Sequence, residues 1–282
     1  MPLMYLIPVT MLILSCCSTD TDLEEPRGNE RTFPVYNQAY QENYEPDSLA
    51  LIQASAENAY VLMDPFDEDF LTFGELDAVK SDGNEISAYI SIGTGEEWRS
   101  DFEEMKPYLS DKQWGEWAGE YYVSRIEAGL TDIMKDRIDR AAELGFDWLE
   151  FDNMDWMFNE ETRDEYNLVS GETEALAYIE ELREYAVSKG IKCMSKNWRR
   201  GAENYDGVTF ESGSENLNWW YSEDMQAFLD EEKPVIIVHY DEKDREGAYR
   251  AYGNYMEIYG EGISFISETR SEKGYIHFNT SP

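Results

Sequence analysis

Asp152 ends the apolar run Phe146 to Asp152, in the segment Phe151-Asp152-Asn153-Met154-Asp155, and Glu211 ends a second run, Val208 to Glu211, in Phe210-Glu211-Ser212. Carboxyl groups at the ends of parallel strands gather at one rim and can face each other across a pocket. A carboxyl that stays protonated assists a departing oxygen, while one that stays ionised attacks carbon or activates water; that division of labour is the chemistry of glycoside hydrolysis. The plainer alternative is that each carboxylate caps a following helix or meets solvent. Position alone leaves both readings open.

Positioning such a pair takes alternating strands and helices. Apolar or β-branched runs occur at Ala59 to Asp64, Ile86 to Gly93, Tyr121 to Ile126, Phe146 to Asp152, Ile191 to Lys196, Val208 to Glu211, Val235 to Tyr240 and Ile263 to Ser267. Between many of them lie helical patterns: Ile133, Met134, Ile138 and Ala141 recur at helical spacing in Leu130 to Leu144, as do Leu176, Ile179, Leu182 and Ala186 in Glu172 to Lys189. Gly145 and Gly190 stand where helix C-caps belong. No tight hairpin signal joins consecutive strands, so right-handed crossovers and a single (β/α)8 barrel of the TIM type are expected. An open doubly wound sheet would bring a phosphate-binding glycine loop. Here Gly93-Thr94-Gly95 runs into Glu96-Glu97, which repel phosphate, and reads as a turn.

The 282 residues suit one large domain. Met1 to Ser15 is apolar and free of charged side chains, too short to span a bilayer, and reads as a signal peptide. Ile13-Leu14-Ser15-Cys16 resembles the lipobox of bacterial lipoproteins, with Cys16 the favoured lipidation site and Cys17 the alternative. The expected organisation is a signal over 1–15, a lipidated cysteine and flexible acidic tether over 16–47, and the barrel over 48–282, held outside the cytoplasm on a bacterial membrane by its lipid. The tether reading rests on a polar, acidic, proline-containing composition. Only Cys193 remains in the barrel, in a context that predicts a buried thiol. Sixty acidic against 23 basic residues give a net charge of −37, which argues against nucleic acid and anionic lipid surfaces and favours a cationic ligand. No His or Cys spacing calls for a metal or cofactor, and Asp152-Asn153-Met154-Asp155 lacks a calcium loop's ligand order. The Gly-x-Ser-x-Gly elbow of a serine hydrolase is absent.

Motifs spread from about Tyr60 to Glu268 resemble those of glycoside hydrolase family 114, the endo-α-1,4-polygalactosaminidase family. They are Tyr89-Ile90-Ser91-Ile92-Gly93, Glu96-Glu97-Trp98-Arg99-Ser100-Asp101, Gly145 to Asp155, Lys196-Asn197, the strand-end Glu211 and Lys233-Pro234-Val235. The resemblance implies a retaining hydrolase of galactosamine-containing polysaccharide, with Asp152 as nucleophile and Glu211 as general acid and then base. Asp155 is the rival nucleophile or a ligand to a sugar hydroxyl or amine. Further substrate contacts are expected from Asp64, Tyr89, Glu96, Trp98, Arg99, Asn153, Trp156, Lys196, Asn197, Trp198, Trp219 and Tyr240. The tryptophans are candidates because an aromatic face stacks on a pyranose or an amino sugar's cation, although core packing would explain any one of them. Arg99 and Lys196 could instead orient carboxylates and hold Asp152 ionised. The chain departs from the family pattern at His239-Tyr240, where Glu-Tyr is usual; His239 could contact a sugar or titrate near neutrality, although a lone strand-end histidine is more often a local hydrogen-bonding residue. The competing reading is a glycan-binding lipoprotein without turnover on the same barrel; a third is a glycosidase of another linkage.

Overall fold

The computed structural model describes residues 32–37, 56–66, 73–115, 117–213, 223–240, 244–268 and 275–276. In chain order the described elements are β1 (Val35–Asn37), β2 (Tyr60–Met63), α1 (Phe73–Lys80), β3 (Glu85–Ser91), β4 (Thr94–Glu96), α2 (Phe102–Met105), β5 (Leu109–Gln113), β6 (Glu120–Val123), α3 (Ala128–Leu144), β7 (Trp148–Asp152), α4 (Glu160–Tyr166), α5 (Glu172–Ser188), β8 (Lys192–Lys196), β9 (Gly207–Gly213), α6 (Glu223–Asp230), β10 (Val235–Tyr240), α7 (Arg245–Tyr259), β11 (Ile263–Glu268) and β12 (Tyr275–Ile276). Among the described residues, eight strands pair in parallel in the order β1-β2-β3-β7-β8-β9-β10-β11, and β12 adds an antiparallel edge on β11. Phe33 N donates to Ser264 Oγ at 2.8 Å, tying the approach to β1 against β11, so the sheet is a nearly closed (β/α)8 barrel.

Strand periodicity sorts the side chains. Tyr60, Leu62, Tyr89, Trp148, Met194, Ile236, Val238 and Tyr240 pack together inside the barrel. Their strand neighbours Val61, Ile90, Leu149, Phe151 and Cys193 pack outward against helix residues such as Met134, Ile138, Ile179 and Leu182. Gly145 ends α3 in the left-handed conformation, φ 86°, and its N–H reaches back to the carbonyls of Ala141 and Ala142. No described helix is long and apolar enough to cross a membrane.

Two expectations are corrected. The run at Tyr121 to Ile126 is not a barrel strand: β6 pairs antiparallel with β4 and β5 in a separate three-stranded sheet inserted between β3 and α3. An apolar run of this length serves the edge of an antiparallel excursion as well as a barrel wall, and only pairing separates them. The missing barrel strand is β1, inside the segment assigned to the tether. Three residues set in acidic, polar surroundings are too few to show a period, so the barrel begins ahead of residue 48. The signal, Cys16 and most of the tether lie outside the described residues.

Candidate active site

Lys196, at the end of β8, stands almost fully buried between Asp152, which ends β7, and Glu211, which lies two residues before the end of β9 at Gly213. Its Nζ lies 3.1 Å from Asp152 Oδ2 and 3.3 Å from Glu211 Oε1. Those two oxygens are therefore within about 6.4 Å of each other, the sum of the two distances. The ammonium also lies over the Tyr89 ring, 5.1 Å from its centroid. Burial raises the Asp152 carboxyl above its ordinary range, Lys196 pulls it down, and the negative charge of Glu211 pushes it up again. Glu211 is half-buried; its Oε1 accepts from the Tyr240 hydroxyl at 2.6 Å and its Oε2 from Asn197 Nδ2 at 2.9 Å. Asn197 Oδ1 in turn accepts from Glu211 N at 2.8 Å, which fixes the orientation of that amide.

The turn after Asp152 is held from two sides. Asn153 adopts a left-handed conformation, φ 64°, and its N–H donates to Asp152 Oδ1 at 2.7 Å. A Cβ at Gly93 would come within 1.6 Å of the Asn153 carbonyl oxygen, so only glycine allows this approach. Gly93 is thus a contact point with the end of β7. Asn153 Nδ2 faces Ser91 Oγ at 3.0 Å, Glu120 Oε1 at 3.2 Å and Thr94 Oγ1 at 3.3 Å.

Arg99 organises a second set of carboxylates. Its guanidinium donates to both oxygens of Glu96, at 2.7 and 2.9 Å, and meets Asp64 at 2.7 and 2.8 Å. Asp64 also accepts from Phe66 N at 2.9 Å. Arg99 is raised further above its already high range by Glu96 and Asp64 against the opposing effect of burial. Asp155 is exposed, yet the protein crowded around it and the nearby charge of Asp152 push its carboxyl up to about 6. Two further buried carboxyls adjoin the site. Glu150, one inward position below Asp152, accepts from Thr209 Oγ1 at 2.6 Å, lies 4.0 Å from Lys196, and is pushed up to about 7, chiefly by burial. Glu120 on β6 is pushed up to about 8, by burial first and by Glu96 next. No group of three metal-ligating side chains that could hold an ion is present among the described residues.

The family model for glycoside-hydrolase family GH114 matches residues 33–280, most of the chain. The protein belongs to GH114. Among solved structures, Ega3 from Aspergillus fumigatus in complex with galactosamine superposes with a TM-score of 0.67 at 17% identity, over 86% of this chain and 92% of that one. The glycoside hydrolase domain of PelA from Pseudomonas aeruginosa gives 0.65 at 14% identity, over 88% and 98%. An alpha-galactosidase from Thermus thermophilus in complex with stachyose gives 0.56 at 14%, over 84% and 61%. At these identities the likeness is one of fold, a barrel shared by glycosidases. A comparison with curated proteins finds no sequence match.

In this GH114 barrel Asp152, Glu211, Lys196, Asn197, Tyr89, Asn153 and Tyr240 come together, while Asp64, Glu96 and Arg99 form their own buried cluster. Trp156 and Trp198 do not line an open rim. Each is only 4% exposed; Trp156 Nε1 donates to Gly93 O at 3.1 Å, and Trp198 packs edge-on to Tyr205. Trp98 is exposed, at 46%, and Trp219 lies outside the described residues. His239 is no sugar contact. It faces outward, fully buried, with Nδ1 3.1 Å from the Tyr255 hydroxyl, because β10 turns alternate residues to opposite faces and Tyr240 takes the inner one. Cys193 is a free, buried thiol on an outward face. Sequence reasoning missed Glu150 and Glu120. Period-two alternation from Asp152 points to Glu150, whereas nothing local marks Glu120, whose place beside Asn153 depends on the inserted sheet.

Proposed function

We propose that this GH114 hydrolase cleaves within α-1,4-linked, galactosamine-containing polysaccharide by a retaining mechanism. Glu211 protonates the glycosidic oxygen as the C1–O bond breaks, and the Asp152 carboxylate bonds to C1. Glu211, now ionised, takes a proton from the water that attacks C1 and displaces Asp152. The observation that carries the reading is the single Lys196 ammonium bridging both carboxylates. It favours an ionised Asp152, and the upper limit of about 6.4 Å between the bridged oxygens accommodates the roughly 5–5.5 Å carboxyl spacing of retaining enzymes. The Tyr240 contact serves Glu211 in either state, since a phenol both donates and accepts. The net charge of −37 suits a polymer of ammonium-bearing sugars, and the Ega3 structure holds galactosamine. Asp155, exposed and within reach of the charges of the pair, is assigned to a substrate amine or hydroxyl. Lipid attachment at Cys16 would hold the enzyme outside the cytoplasm, where such polysaccharide lies; loss of membrane association in C16A checks this, and an unchanged distribution would remove the anchor.

The test incubates protein beginning ahead of Phe33, so that β1 is retained, with deacetylated and acetylated α-1,4-galactosamine polymers. Wild type is expected to release oligomers whose new reducing ends are first α, and D152N and E211Q to lose about 10³-fold or more of kcat. Early release of monomer alone would replace endo by exo action, a first β product would replace retention, and turnover surviving in either variant would unseat the pair.

A further inference from the structure

Glu120 reaches the end of β7 from outside the barrel. It is carried by β6 of the inserted sheet and buried, and its Oε1 accepts from Thr94 Oγ1 and lies 3.2 Å from Asn153 Nδ2. Thr94 Oγ1 is itself 2.5 Å from Ser91 Oγ, so one hydrogen-bonded cluster joins β3, β4 and β6 to the Asn153 side chain. Asn153 has two amide hydrogens and finds its acceptors here, while its carbonyl lies over Gly93 and its N–H holds Asp152 Oδ1. Asparagine adopts the left-handed region more readily than other non-glycine residues, and here the contacts of its side chain hold it there. Lys196 holds the other Asp152 oxygen, so the Asn153 turn and Lys196 together fix the carboxylate's rotation. We infer that Glu120 is a positioning residue for the reaction, acting through the Asn153 amide to hold the turn that orients the Asp152 carboxylate. The inference rests on Asp152 being the attacking group.

Glu120 reaches no reacting atom in this role. Its charge matters nonetheless, because the charged groups that face it are Glu96 and Arg99 from the segment at β4 and Asp152 from β7. With its carboxyl pushed up to about 8, it is held mainly neutral at pH 7 and adds no anion beside Asp152. Above that pH it ionises, and the added negative charge raises the Asp152 carboxyl and disturbs the amide it holds.

The test compares E120A and E120Q with the wild-type full chain on galactosamine polymer across pH 5 to 9.5 and includes D152N. E120A is expected to lower kcat about 30-fold with KM within about twofold, the split that separates positioning from substrate contact. E120Q retains an oxygen that accepts from Thr94 and Asn153, so it is expected to recover most of that loss and to remove an ionisation near 8 from the alkaline limb of kcat. A ¹³C carboxyl titration gives a readout without turnover: one signal moving near pH 8 in wild type and missing from E120Q. Should E120A not fold, N153A deletes the same contact and carries the same kcat expectation. Unchanged kcat in E120A, a KM rising in step with the loss, or a carboxyl titration that survives E120Q would overturn the role of Glu120. Turnover in D152N would instead overturn the nucleophile assignment, whatever E120A does.

Discussion

Lys196 and Arg99 each stand between two carboxylates, yet the contacts differ in kind. Arg99 meets Glu96 with two parallel hydrogen bonds and Asp64 with a hydrogen bond and a second ion-pair contact, a planar fork that fills its geometry and leaves little freedom. Lys196 is a point charge on a flexible stem, at 3.1 and 3.3 Å from Asp152 and Glu211. Such a cation tolerates partners that change protonation and bonding during a reaction, because no fixed fork has to be rebuilt. Two buried cations can therefore coexist beside a site proposed for a cationic glycan. Each is compensated by carboxylates, and neither presents free positive charge to substrate.

The comparison breaks most visibly at Lys196. K196M is expected to lower kcat/KM by about 10²–10³-fold and to shift the acid limb of its pH profile upward, since losing the ammonium raises the Asp152 carboxyl further. Steady-state rates from pH 4 to 8 check this, and a limb that stays in place would mean that Lys196 does not hold Asp152 ionised. G93A acts on the same carboxylate through sterics: the methyl group meets the Asn153 carbonyl, so about a 10²-fold loss of kcat is expected, with lowered thermal stability. R99K keeps the charge and loses the fork. Destabilisation of about 2 kcal/mol by denaturant titration, with a smaller loss of kcat than K196M, is expected if Arg99 is structural. The reverse order would exchange the two roles.

A smaller effect sharpens the comparison below the site. Glu150 is held from its ordinary 4.5 up to about 7. Between those values the folded state keeps a proton that the unfolded state has lost, so this group's contribution to stability falls as pH rises through the window and is level above it. E150Q is therefore expected to gain Tm relative to wild type from pH 4.5 to 7, with the gap constant beyond. H239Q should change kcat least, because His239 packs against Tyr255 on the outer face.

Much of the site was legible because strand ends and alternation are local properties. Asp152, Lys196 and Tyr240 end barrel strands, Glu211 lies just before the end of β9, and a two-residue period carries each of them to the inner face. The tryptophans were not separable in this way. Trp156 and Trp198 follow strand ends just as Trp98 does, but the chain folds the first two into the core and leaves the third exposed. β1 was hidden by its length and acidic neighbours, and β6 passed for a barrel strand because hydrophobic pattern carries no information about pairing partners.

What the sequence by itself determined was the alternating barrel, the family and the carboxylates at its rim, because repeat period and motif order are written in contiguous residues. The tertiary structure decided that one lysine bridges two strand ends, that Arg99 closes on Asp64 and Glu96, and that Glu120 crosses from a separate sheet to Asn153. Those relations join segments distant in sequence, and a charge or hydrogen-bonding group reveals its role only when burial and a facing partner set its energy.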